Sequence, residues 1–136
     1  YTKSRITADA PSINAVAGDD MTMVPKYNGY FALQQNFDVM DRPAFIRGAV
    51  SVYGETKSHF QVRPDDISPA YATVDLAASV DATDNVRVSL HVNNLFNKDY
   101  TTYRNARSRS LTNTSAAKYF YYGRERTITL RGDFSF

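Results

Sequence analysis

The stretch from Arg126 to Phe136 alternates between apolar and polar side chains without a break. Ile128, Leu130, Gly132, Phe134 and Phe136 share one face, and Thr127, Thr129, Arg131, Asp133 and Ser135 share the other. Side chains of an extended strand point alternately to opposite faces, so the pattern predicts one greasy face and one charged face. A strand between hydrocarbon and water is built this way, and a closing aromatic suits the rim of such a wall.

The same period recurs upstream. A first, polar segment runs from about Tyr1 to Ala10. Lys26 to Phe37 sets Tyr27, Gly29, Phe31, Leu33 and Phe37 against Asn28, Tyr30, Ala32, Gln34 and Asn36. Ala44 to Tyr53 sets Ile46, Gly48, Val50 and Val52 against Arg47, Ala49, Ser51 and Tyr53. Tyr71 to Val80 sets Ala72, Val74, Leu76, Ala78 and Val80 against Thr73, Asp75, Ala77 and Ser79. Val86 to Phe96 sets Val86, Val88, Leu90 and Val92 against Arg87, Ser89, His91 and Asn93. With the terminal segment this predicts an all-β antiparallel meander of about six strands. No sustained i, i+3, i+4, i+7 apolar pattern occurs, so no major helix is expected.

The connectors alternate in length. Asp38 to Pro43 and Asp81 to Asn85 are short and rich in turn residues, whereas Pro11 to Pro25, Gly54 to Ala70 and Asn97 to Gly123 are long and polar. Short turns at one end and long loops at the other characterise a bacterial outer-membrane barrel, with the turns periplasmic and the loops extracellular. The last strand then runs toward the short-turn rim and places Phe136 there. Tyr27, Tyr53, Tyr71 and Tyr122 mark the long-loop ends of strands; Phe37, Phe45, Phe134 and Phe136 mark the short-turn ends. Two aromatic belts around an aliphatic band are expected at the two faces of a bilayer.

Composition narrows the alternatives. No run approaches the roughly 18 to 20 apolar residues of a spanning helix, a limit that leaves strand barrels open. Ten Tyr and eight Phe suit sheets and membrane interfaces, where a ring needs apolar surroundings and a hydroxyl needs water. The absence of Cys excludes disulfides and thiolate metal sites. A net charge of +2 gives no nucleic-acid footprint. The chain opens on Tyr1 without a signal peptide, and the expectation is that its beginning has been removed.

Catalysis is not expected. Ser89, His91 and Asp75 are residue types found on any polar wall, and no nucleophile motif surrounds them. Asp19-Asp20 and Asp65-Asp66 read as solvated loop carboxylates, so neither a metal nor a cofactor is expected. Arg47, Asp75, Arg87, Arg131 and Asp133 read as a polar wall. The best ligand-binding candidates lie in the last long loop, where Tyr100, Tyr103, Arg104, Arg107, Arg109, Lys118, Tyr119, Phe120 and Tyr121 mix cations with rings. His59, Phe60 and Arg63 join them from the preceding long loop. Such a surface suits an anionic, ring-bearing ligand: rings stack, and arginine donates paired hydrogen bonds to carboxylate or catecholate oxygens.

Four short motifs add a resemblance. Val92-Asn-Asn-Leu-Phe-Asn-Lys-Asp-Tyr100 resembles the "N-N-L-F-D-K-x-Y" signature late in TonB-dependent outer-membrane receptors. Tyr122-Gly-Arg-Glu-Arg-Thr-Ile-Thr-Leu130 resembles the "Y-G-x-P-R-T" run that leads into the last strand of that family. Val24-Pro25-Lys26 resembles its "V-P-K", and Tyr71-Ala-Thr-Val-Asp75 its "Y-x-x-V-D". The four occur in family order and span most of the chain. Asn97 stands where the family has Asp, and Glu125 where it has Pro.

The resemblance implies that residues 1–136 are the C-terminal segment of a roughly 22-stranded transmembrane β-barrel whose lumen holds a plug. It implies active import of a scarce nutrient, foremost a ferric siderophore, with energy supplied through TonB. The implied partners are the remaining barrel strands and plug, TonB, outer-membrane lipid and lipopolysaccharide, and a small-molecule ligand. Six strands are too few for closure, since the smallest single-chain bacterial barrels have about eight. The chain is therefore expected to be a piece of a larger wall. A passive porin and a soluble β-sandwich that binds a partner are the rival readings.

Overall fold

Strands form where the alternation is strongest. The computed structural model of the protein describes residues 4–60, 66–105 and 118–136. Two compact units divide the chain. A loop unit takes Tyr1–Asn28, Tyr53–Tyr71 and Asp99–Gly123; a sheet unit takes Gly29–Val52, Ala72–Lys98 and Arg124–Phe136.

Among the described residues nine strands run in chain order: β1 (Asn28–Val39), β2 (Arg42–Tyr53), β3 (Thr56–Lys57), β4 (Ile67–Ser68), β5 (Tyr71–Thr83), β6 (Val86–Asn93), β7 (Thr101–Asn105), β8 (Tyr119–Tyr122) and β9 (Thr127–Phe134). A 3₁₀ turn spans Pro11–Ile13. The main sheet is antiparallel, with five strands in the order β1-β2-β5-β6-β9. It does not close on itself, and β1 and β9 are its edges. The expected first strand does not form within the described residues. Ser4 to Ala10 make isolated bridges instead, Arg5 with Asp20 and Ala10 with Ala15. Its even face carries Ile6, Ala8 and Ala10, an apolar row of mostly small side chains that buries too little area to select a register. Two long connectors carry small hairpins that periodicity missed, β3 with β4 and β7 with β8.

Register carries the two-faced pattern across the sheet. Leu76, Val92 and Ile128 lie in one row, Ala78, Leu90 and Leu130 in the next, and Val80, Val88 and Gly132 in a third. The intervening rows are polar: Ala77, His91 and Thr129; Ser79, Ser89 and Arg131; Asp81, Arg87 and Asp133. Toward β1 the apolar rows continue, since a β-carbon on Gly48 would meet Leu76 at 3.6 Å and one on Gly29 would meet Val52 at 3.0 Å.

Burial is inverted relative to a water-soluble sheet. Leu33 is 68% exposed, Leu130 73% and Phe134 67%, whereas Ser79 and Ser89 on the polar side are 7% exposed. Ser89 donates its hydroxyl hydrogen to Ser79 Oγ at 3.2 Å. Among the described residues of the whole chain, Ala15 and Ala49 are the buried apolar side chains. A soluble sheet hides its apolar face against a second layer; here that face is bare.

The polar wall satisfies its own charges. Arg87 donates Nε and Nη2 to the two carboxylate oxygens of Asp81 at 2.5 and 3.0 Å. Arg131 pairs with Asp133, two residues along the same face. Arg47 donates to the Tyr30 hydroxyl at 2.8 Å. Arg42 and Asp84 join the two short turns.

The turns follow from backbone geometry. Met40 and Asp41 form the two-residue β1–β2 loop with φ of 51° and 58°. Two consecutive left-handed residues make the primed turn whose twist matches paired strands. At the β5–β6 turn a register shift between Asp81 and Thr83 adds a bulge. Ser135 donates its N–H to the Asn85 carbonyl at 2.9 Å, which holds the end of the chain at the short-turn rim.

One buried side chain organises the opposite end of the sheet unit. Asn94 is 5% exposed and has φ of 50°. Its backbone N–H donates to Asp75 Oδ1 at 2.8 Å. Its Nδ2 donates to the carbonyls of Lys98 and Arg124, both at 3.0 Å, and its Oδ1 accepts the Lys98 N–H at 2.9 Å. Asn97, at φ of 49°, accepts the Arg126 N–H on Oδ1 at 2.8 Å. Segments from β5, from the turn after β6 and from the approach to β9 thus meet at one knot. Asn97 contributes a side-chain oxygen there, which a carboxylate would equally supply.

Candidate functional site

The strand pair β7–β8 in the loop unit gathers five of the residues expected to bind ligand. Tyr103 lies opposite Tyr121 and Arg104 opposite Phe120. Consecutive residues on a strand face opposite ways, so the first pair lies on one face and the second on the other. The Tyr103 and Tyr121 rings are tilted, with centroids 5.6 Å apart. The Arg104 guanidinium lies 5.6 Å from the Phe120 centroid, a cation–π arrangement. Its Nε donates to Thr101 Oγ1 at 3.0 Å, while its terminal nitrogens take no partner among the described residues. Asn105 donates to the Tyr103 hydroxyl at 3.0 Å. Tyr119 and Tyr122 extend the aromatic surface and are exposed; Tyr122, expected as a belt residue, continues the run of rings. Four successive rings, Tyr119 to Tyr122, were the available signal.

Tyr100 is placed differently. Its ring stacks on Tyr71 at 4.3 Å, and Tyr71 stacks on Tyr53 at 5.0 Å. It also covers Gly123, whose N–H donates to the Tyr100 carbonyl at 2.8 Å. Gly54 repeats the device, donating to the Tyr27 carbonyl at 2.8 Å beneath the Tyr27 ring. A β-carbon on Gly123 would lie 1.9 Å from the Tyr100 ring. The ring would have to leave its stack, so Gly123→Ala is expected to cost about 2 kcal/mol through overpacking. In a Tyr100→Ala background the same change should cost little, and a double-mutant cycle by chemical denaturation measures the difference.

His59 lies near β4, and β4 packs beside β7. Ser58 Oγ approaches His59 Nδ1 at 3.0 Å, and Asp66 Oδ1 approaches the same nitrogen at 3.6 Å. A hydroxyl–imidazole–carboxylate relay uses the two ring nitrogens separately; here hydroxyl and carboxylate share one. Asp66 is fully buried. Lys57 sits 5.9 Å from the Phe60 ring, a second cation–aromatic pair. Arg63, Arg107 and Arg109 lie outside the described residues. In the sheet unit, Ser89 hydrogen-bonds Ser79, and the Asp75 carboxylate holds the Asn94 backbone.

A hollow of about 360 Å³ in the sheet unit is lined by Asn36, Asp38, Ser79 and Arg87 among others. Its Arg87 is already held by Asp81. No group of His, Cys, Asp and Glu able to hold a metal occurs among the described residues. The surface built from residues upward is therefore the β7–β8 pair, with Arg104 and Phe120 on one face and Tyr103 and Tyr121 on the other. Neither family models, nor curated proteins, nor solved structures match this chain.

Proposed function

We propose that this chain forms part of the wall and outer loops of a TonB-dependent outer-membrane receptor that imports a scarce nutrient. A ferric siderophore is the leading ligand class. The observation that carries this reading is the inverted sheet: its aliphatic and aromatic rows are bare while serines on the other side are buried. Exposed apolar rows of this extent are costly in water and stable in hydrocarbon. Strands of 12, 12 and 13 residues in β1, β2 and β5 reach the roughly 9 to 11 residues that a tilted membrane strand needs. The edges β1 and β9 would pair with further strands, since unpaired backbone groups in lipid cost several kcal/mol each.

On this reading the β7–β8 surface captures ligand. Arg104 offers a guanidinium fork to an anionic oxygen pair, and Phe120, on the same face, offers a ring. The protein reconstituted in lipid is expected to bind a ferric catecholate siderophore saturably, measured by quenching of tyrosine fluorescence. Arg104→Ala should weaken binding roughly tenfold to a hundredfold, the loss of one charge-assisted hydrogen bond or pair. Absence of saturable binding, or equal affinity in the variant, would remove the ligand assignment. Uptake that persists in cells lacking TonB would favour a passive porin instead.

A further inference from the structure

One aromatic side chain of the sheet unit departs from the belt pattern. Phe45 shares its parity in β2 with Arg47 and Ala49, and Arg47 reaches the Tyr30 hydroxyl on the polar side. Alternation therefore puts the Phe45 ring on that side, where it is half-buried. It belongs to the hollow of about 360 Å³ whose lining also includes Asn36, Asp38, Pro43, Ser79 and Arg87. Small-molecule sites have volumes of this order. The charges toward the short turns do not balance. Arg42, Arg87 and Arg131 are committed to Asp84, Asp81 and Asp133 respectively. Asp38 and Asp41 have no ion-pair or hydrogen-bond partner among the described residues. Within the lining, the cation Arg87 is thus neutralised and the carboxylate Asp38 is not.

We propose that this hollow binds a small aliphatic ammonium ion. The ammonium donates to the Asp38 carboxylate, and the methylene groups lie against the Phe45 ring and Pro43. Charge complementarity selects this occupant. An unpaired carboxylate attracts a cation and repels the anions to which Arg104 is suited. A phenyl ring attracts a cation over its face, an attraction that a neutral molecule does not receive. Ser79 Oγ, which accepts from Ser89, and Asn36 Oδ1, which accepts from Gln34 at 2.9 Å, offer further oxygens. A bare metal ion fits less well, because no group of His, Cys, Asp and Glu able to hold one occurs among the described residues. The inference goes beyond the transport reading and does not need it, since every side chain involved lies within the sheet unit.

The experiment titrates the protein in non-ionic detergent micelles with 1,4-diaminobutane at neutral pH and low salt. Binding is read by ligand-observed saturation-transfer NMR. Saturable binding is expected, with 1,4-butanediol, an uncharged molecule of the same length, bound about tenfold more weakly. Asp38→Asn keeps the shape, removes the charge and should weaken diamine binding roughly tenfold, the loss of one charge-assisted hydrogen bond. Phe45→Leu keeps an apolar wall and should weaken it about threefold. Asp41→Asn, outside the lining, should change it by less than about twofold. A far-UV circular dichroism spectrum like that of the wild type shows that each variant is folded, and the diol comparison needs no variant. Absence of saturable diamine binding overturns the inference, as does equal binding of the diol. Equal losses in Asp38→Asn and Asp41→Asn overturn it too, since the amine would then sense only the net charge of the rim. Ferric catecholate binding is expected to be unchanged in Asp38→Asn, so failure of either site leaves the other standing.

Discussion

Replacing Asn94 with alanine is expected to lower stability by about 3–5 kcal/mol, the range for breaking a buried network. Three hydrogen bonds leave with the carboxamide: two donated to the Lys98 and Arg124 carbonyls, and one accepted from the Lys98 N–H. The position is 5% exposed, so little water reaches the abandoned groups. Alanine also meets φ of 50°, a left-handed backbone that asparagine tolerates and a β-carbon resists by about 1 kcal/mol. Two further variants separate these causes. Asn94→Gly removes the backbone penalty and keeps the hydrogen-bond loss. Asn94→Asp keeps the acceptor for Lys98 but turns a carboxylate toward two carbonyl oxygens, and should be as damaging as alanine. Chemical denaturation followed by far-UV circular dichroism orders the three. A Gly variant as stable as wild type would show that the knot contributes nothing beyond its turn.

Leu130→Arg should divide bilayer from buffer. Leu130 sits mid-strand opposite Leu90 on the bare apolar face. In phospholipid vesicles an arginine there is expected to cost about 2–4 kcal/mol, the penalty for charge near the bilayer midplane. Its neighbour Thr129 lies on the polar face opposite His91, and Thr129→Arg should cost under about 1 kcal/mol, as expected of a substitution facing water. In aqueous buffer the order would vanish, because Leu130 is already 73% exposed. Urea titration in vesicles reads the contrast. Equal costs for the two arginines would show that the apolar rows do not meet lipid, and the transport reading would fall with them.

Periodicity located β1, β2, β5, β6 and β9 and assigned each side chain to a face, because a strand's alternation is written into adjacent residues. It also located both short turns, through Asp, Asn and Pro. It failed for Ser4 to Ala10, where Ile6 and two alanines are the whole apolar row and bury too little to set a register. It passed over β3–β4 and β7–β8, whose strands of 2 to 5 residues are too short to show a period. Among the expected site residues, Tyr103, Arg104, Phe120 and Tyr121 fall on one strand pair, Tyr103 and Tyr121 on one face and Arg104 and Phe120 on the other. Tyr100 did not join them, since its partners Tyr71 and Gly123 lie far along the chain.

What the residue order determined alone was two-sidedness: which side chains share a face, and where the chain turns. Tertiary structure decided which rows align, which charges neutralise one another, and that Asn94 ties β5 to the approach to β9. The physical reason is range. Alternation is a property of nearest neighbours, whereas the Asn94 bonds to Asp75 and Arg124 span 19 and 30 residues and exist only once the strands have found their register.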